Sequence, residues 1–229
     1  MKADKQGGGL IWPDVPRLAF GDNGTRPVAA VGWSLRSSIR MYGYVEGYAW
    51  AARTLYAEAL RHAKSPEYVI FPLAFLWRHH IELSMKWVIA LGRKWEGDTE
   101  GKAASGHDLM KLWKECRTHL EPMAGDEPDD TLANVGFTLE QLHRIDPGGD
   151  GWRYPVELRA DPVAVQTSTS LAGVPEHVSL PQLQEAMEAL STFFDCVAMQ
   201  LRQAIEDRGE AAALALEFAP HPLDDFPDF

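Results

Sequence analysis

The sequence predicts an all-α fold, an up-and-down bundle of about five helices, and three observations predict it. Apolar residues recur at spacings of three and four along several long stretches. Clusters of Gly, Pro and Asp punctuate the chain between them. Strand-like alternation is confined to one insert near 152–179, where Tyr154, Val156 and Leu158 alternate and a small hairpin is expected.

The first 35 residues read as an irregular arm broken by Gly7-Gly8-Gly9, Pro13, Pro16, Gly21, Gly24 and Pro27. A helical domain is expected over 36–210, followed over 211–229 by a short helix and an acidic, aromatic tail ending Asp224-Asp225-Phe226-Pro227-Asp228-Phe229. Within the domain, Tyr44, Tyr48, Ala51, Leu55 and Ala59 make one stripe of a helix from about Ser37 to His62. Ser65-Pro66 reads as a cap followed by Pro in the first turn, opening a second helix to about Trp95. A third helix is placed at about His107 to Leu120, with Leu109, Leu112, Trp113 and Cys116 on its apolar face. A fourth runs from about Thr131 to Ile145, with Gly136 as a weak point in it, and Asp146-Pro147-Gly148-Gly149 ends it. The last long helix spans about Pro181 to Glu206; Ser179 is placed to cap it, and Leu183, Met187, Leu190, Phe194, Val197 and Leu201 face inward.

Composition narrows the function classes. At 229 residues, 45% hydrophobic and with 8 Trp, the chain can bury a substantial core. Its apolar runs stop short: Phe71 to Trp77 ends at Arg78, and Met85 to Gly92 contains Lys86. No stretch reaches the roughly 18 apolar residues of a span, so no membrane segment is expected. The opening residues lack an apolar run before a cleavage site, so no secretion signal is read there. Cys116 and Cys196 are then expected as reduced thiols, and the location as cytoplasmic. A net charge of −11 argues against non-specific duplex DNA binding through the global field, while leaving room for a local basic pocket.

The chemistry concentrates on the second helix. At roughly 100° per residue, Trp77, Ile81, Leu83, Met85, Trp87, Val88 and Leu91 fill a wide apolar arc. Arg78, Glu82 and Lys86 share the remaining narrow stripe, with His79 beside them, and Glu82 lies four residues from each cation. Two readings are open. Such a stripe is commonly a solvated, salt-bridged face. Yet an arc this wide implies a helix buried on most sides, so the stripe is also suited to line a cleft. There Arg offers a planar fork for phosphate oxygens, Lys a point charge and His a proton carrier. His80 points into the apolar arc, where a hydrogen-bonded core role competes with a supporting one.

Two further segments are candidates for the same cleft. In Gly106-His107-Asp108-Leu109, His107 is a candidate proton carrier, and Asp108 is either a helix cap or a supporting acid. In Trp152-Arg153-Tyr154-Pro155, Arg153 and Tyr154 are candidate phosphate or nucleotide contacts, unless Arg153 merely pairs with a nearby carboxylate. Zinc-protease, P-loop, nucleophile-elbow and dinucleotide-binding motifs are absent. Adjacent His79 and His80 point about 100° apart on a helix, so no metal site is expected, and no cofactor.

The run Phe75-Leu76-Trp77-Arg78-His79-His80-Ile81-Glu82-Leu83-Ser84-Met85-Lys86, then Gly106-His107-Asp108-Leu109, then Arg153-Tyr154-Pro155 before a long closing helix, resembles bacterial proteins of the HEPN superfamily (higher-eukaryote and prokaryote nucleotide-binding) over about 40–210. The resemblance implies an all-α bundle, often a homodimer. It also implies metal-independent ribonuclease activity in a toxin–antitoxin or phage-defence system, or else an inactive partner module. Active members carry Arg, then four to six residues, then His on one helix. Here Arg78 is followed directly by His79 and His80, and no Arg in the chain has a His five to seven residues later. Three expectations follow: an RNA-cleaving enzyme using Arg78, His79, Glu82 and His107, with Lys86, Arg153 and Tyr154 on phosphate; a non-enzymatic module binding a nucleotide or a cognate protein; or a purely structural ion-pair cluster.

Overall fold

The structure, a computed structural model, describes residues 37–62, 65–98, 104–123, 130–153 and 174–217, with side chains from residue 41 to residue 211 among them. The irregular arm, Tyr154, the alternating part of the insert and the acidic tail lie outside the described residues. The chain divides into two units, Met1–Leu35 and Arg36–Phe229, and every described helix belongs to the second.

The described residues of that unit form five α-helices: α1 (Ser37–Arg61), α2 (Pro66–Trp95), α3 (Leu109–Leu120), α4 (Thr131–Ile145) and α5 (Leu180–Glu217). A 3-10 turn, Glu121–Met123, extends α3. No strand occurs among the described residues, so the molecule is an all-α bundle. No helix among the described residues is long and apolar enough to cross a membrane.

The bundle is organised around α2, which packs against α1, α3 and α5, while α4 packs on α3. The wide apolar arc explains this centrality, because a helix greasy on most sides needs several neighbours. Leu73, Trp77, Ile81, Met85, Val88 and Ile89 of α2 are all fully buried. They meet Ala52 of α1, Leu109 and Cys116 of α3, Leu139 of α4, and Met187, Phe194 and Leu201 of α5 in one core. Leu83 and Trp87, at the edges of the arc, are half-buried. Both cysteines are free, Cys116 in the core and Cys196 exposed.

Glycine decides two of the helix contacts. A Cβ on Gly136 would sit 2.9 Å from Trp113 Nε1, so the residue expected to weaken α4 instead lets α4 approach the Trp113 indole. A Cβ on Gly92 would stand 2.4 Å from His119 Cγ, so α3 reaches α2 there only because the side chain is a hydrogen.

Several boundaries differ from expectation. α3 starts at Leu109, not at His107, because Asp108 Oδ1 accepts from the amides of Met110 (3.0 Å) and Lys111 (3.1 Å) and so occupies the cap position. Ser65 precedes α2 without a side-chain cap bond; its hydroxyl is turned to Glu67. Ser179 does cap α5, accepting from the Gln182 amide at 3.4 Å. The expected short helix from Ala211 is no separate element: α5 continues unbroken for 38 residues, about 57 Å at the α-helical rise. Ala211 to Leu216 contains no breaker, and Gly209 in an exposed helix costs only about 1 kcal/mol relative to Ala. Trp152 and Arg153, expected at the start of an extended stretch, lie in a turn closed by the Arg153 amide on Asp150 O at 3.0 Å.

Candidate functional site

The Arg78–Glu82–Lys86 stripe is not an outer face. Arg78 is 3% exposed and Glu82 1% exposed, because the loop before α3 and the turn after α4 close over this side of α2. Taking two charges out of water is costly unless their hydrogen-bonding capacity is met. Arg78 Nη1 donates to Glu82 Oε2 (3.1 Å), and Nη2 donates to His107 O (2.8 Å). Nε and Nη2 both reach Asp146 O, at 3.3 and 3.2 Å. The Asp146 carboxylate adds a charge contact, Oδ2 lying 3.3 Å from Arg78 Nε. One guanidinium therefore ties together α2, the loop before α3 and the turn after α4.

Glu82 is as fully engaged. Its Oε1 accepts from Lys86 Nζ at 2.8 Å and lies 3.0 Å from His107 Nδ1. Burial pushes the Glu82 carboxyl up, but Lys86 and His107 outweigh it and hold the carboxyl below its usual range. With Nδ1 on a buried carboxylate, the His107 ring is fixed in orientation while its side chain stays 60% exposed. The Lys86 side chain also reaches the surface, at 15% exposure.

His79 occupies the flank of this cluster. It lies edge-on to Tyr48 (4.4 Å between centroids) and parallel to Phe75 (5.8 Å, planes 7° apart). Burial lowers its pKa, Glu82 opposes this, and the cations Lys86 and Arg78 reinforce it. Arg153 donates to Gly149 O (3.2 Å), pairs with Asp150, and carries its guanidinium 5.8 Å from the Phe75 ring centre. Asp108 is the α3 cap, with its carboxylate 3.7 Å from His143 Nδ1. Arg78, Glu82, Lys86 and His107 thus meet directly. His79 and Arg153 sit alongside, joined to one another through Phe75.

His80 faces away from them. It is fully buried, with Nδ1 3.0 Å from Val45 O and Nε2 3.0 Å from Ser191 Oγ. A carbonyl only accepts, so Nδ1 carries the proton and Nε2 accepts from the serine hydroxyl. Ser191 also receives Arg53 Nη2 at 3.2 Å, and Arg53 grips Glu188 with Nε (2.9 Å) and Nη2 (2.8 Å). Desolvation depresses the His80 pKa to about 4. This second cluster links α1, α2 and α5.

Sequence reasoning missed Asp146, which it read only as the start of a chain break. Its Oδ1 accepts from the amides of Gly149 (2.8 Å) and Gly151 (3.0 Å), so it shapes the turn while holding Arg78. The available signal was Asp preceding Pro-Gly-Gly, since an Asp carboxylate organises amides a few residues on. Gly149 has φ +81°, and a Cβ there would sit 2.9 Å from Arg78 Nη1. Among the described residues, no group of three or more His, Cys, Asp or Glu is placed to hold a metal ion. No protein-family model, curated protein or solved structure matches the chain.

Proposed function

We propose that this chain is an HEPN-like, metal-independent ribonuclease in which His107 is the proton carrier and Glu82 orients it. The observation that supports this reading is the 3.0 Å contact from a buried carboxylate to His107 Nδ1, with the imidazole otherwise exposed. A carboxylate in that position selects the tautomer with its free nitrogen outward and stabilises the imidazolium once formed. In the proposed step His107 takes the proton of a ribose 2′-hydroxyl. The 2′-oxygen attacks the adjacent phosphorus, the bond to the 5′-oxygen breaks, and the proton passes from the imidazolium to that 5′-oxygen. A 2′,3′-cyclic phosphate and a 5′-hydroxyl result. Lys86, at the rim, offers charge to the phosphate oxygens. Arg78 has no catalytic part in this reading, because its donors are engaged within the protein.

The test is cleavage of single-stranded RNA in the presence of a chelator, comparing wild type with His107→Ala. Loss of about 10²- to 10⁴-fold is expected for removal of a general base. No cleavage by wild type, or equal cleavage by both, overturns the proposal.

A second reading is favoured by one specific observation, the saturation of Arg78 and Glu82 at 3% and 1% exposure. On it the network serves only to lock two loops against α2, and the chain acts as a non-enzymatic helical module. His107→Ala then changes no activity and no cellular phenotype.

A further inference from the structure

We infer that Phe71, Phe75 and His79 form a shelf on α2 that stacks an unpaired nucleobase beside the Glu82–His107 pair. The three rings are four residues apart, so they line one strip of the helix surface within an arc of roughly 80°. Phe75 and His79 present parallel planes, 7° apart. Phe71 ends the row against Trp152 (6.3 Å between centroids, 53° tilt) and remains 49% exposed. Arg153 lies over Phe75 at 5.8 Å, so a guanidinium borders the row of rings. Flat rings bordered by cations suit a single strand: bases stack on the rings while phosphates meet the charges. Tyr48 and Trp152 close the two ends of the row, and charged groups stand near it: Lys86 and His107 are exposed at 15% and 60%. That pattern matches the alternating base and phosphate of an unpaired strand better than the broad apolar face of a protein partner.

The inference rests on the ribonuclease reading only for where the scissile phosphate would lie; the shelf itself is read by binding. The experiment uses full-length His107→Ala, so that the strand survives, and fluorescence anisotropy with a 5′-labelled oligoadenylate of about twelve nucleotides. The competitor is an abasic strand with the same number of phosphates. Binding of the adenylate strand is expected to be about tenfold tighter than that of the abasic strand, and Phe71→Ala is expected to erase that difference (~1.4 kcal/mol). Because Phe71 is half-exposed, the variant keeps the core, and Phe71→Trp should restore the preference. Equal affinity for the two strands, an unchanged preference in Phe71→Ala, or no binding of either strand overturns the shelf. Base-dependent binding by a protein whose wild type cleaves nothing leaves the shelf standing and removes the ribonuclease reading. Cleavage without base preference does the reverse.

Discussion

Arg78 and Asp146, separated by 68 residues, are joined through both backbone and side chain: the Asp146 carbonyl accepts from Nε and Nη2, and its carboxylate lies 3.3 Å from Nε. The same carboxylate holds the amides of Gly149 and Gly151. The turn after α4 is thus shaped by the residue that anchors it to α2, so the network should behave as one cooperative unit.

Replacing Arg78 should be among the most damaging single changes in the chain. Arg78→Met leaves the buried Glu82 and Asp146 carboxylates without their shared cation, and a loss of about 3–5 kcal/mol is expected. Arg78→Lys should not rescue it, because an ammonium cannot span Glu82, His107 O and Asp146 O as a planar fork does. Urea denaturation of the three proteins checks this; a lysine variant of wild-type stability would show that charge alone suffices.

Gly149 tolerates no side chain for two independent reasons. Its φ of +81° strains any L-residue, and a Cβ would press on Arg78 Nη1 at 2.9 Å. Gly149→Ala should cost more than the roughly 1 kcal/mol of the backbone alone, because the guanidinium must shift out of its hydrogen bonds. In the Arg78→Met background the steric share should vanish, and a double-mutant cycle measures that coupling.

His80 makes stability depend on pH in a defined direction. Its folded pKa of about 4 lies below the ordinary histidine value of 6.5, so the unfolded chain binds the extra proton. Its contribution is fully present above about pH 6.5 and is lost as pH falls through that value towards 4, with a limit of roughly 3 kcal/mol. Unfolding free energies at pH 7, 5.5 and 4.5 should fall in that order, and His80→Gln should flatten the dependence. An unchanged slope in that variant would place the acid sensitivity elsewhere.

Stability and activity should separate at the Glu82–His107 pair. His107→Ala alters a side chain that is 60% exposed and should change stability by no more than about 0.5 kcal/mol while abolishing cleavage. Glu82→Gln should lower both, since it removes the orienting charge and leaves Arg78 and Lys86 without their common carboxylate. Equal stability losses in the two variants would mean that His107 serves the scaffold.

The helical bundle and the central position of α2 were legible in the residue pattern. The periodicity around Trp77, Ile81, Met85 and Val88 dictates a helix covered on most sides, whatever covers it. The close pairing of Glu82 with Arg78 and Lys86 was legible too, because a spacing of four is a fixed distance on a helix. Ser191, Arg53 and Glu188 were not. Each is one polar residue on a long helix, and only the packing of α1 and α5 beside α2 brings them to His80. The continuity of α5 past Ala211 was also missed, since a helix with few breakers continues where composition suggests a new element.

By itself the sequence determined the elements, the arc of α2 that is buried, and the ionic stripe opposite, because these depend on local periodicity along one chain. Only the tertiary structure decided that Arg78 and Glu82 are sealed from water while Lys86 stays at the rim, that Asp146 closes over them, and that His107 reaches Glu82 while His80 turns away. The physical reason is that the energy of a charge depends on what surrounds it: the same Arg78 and Glu82 would make a weak pair in water. They become an obligatory network once two loops from distant parts of the chain remove the solvent.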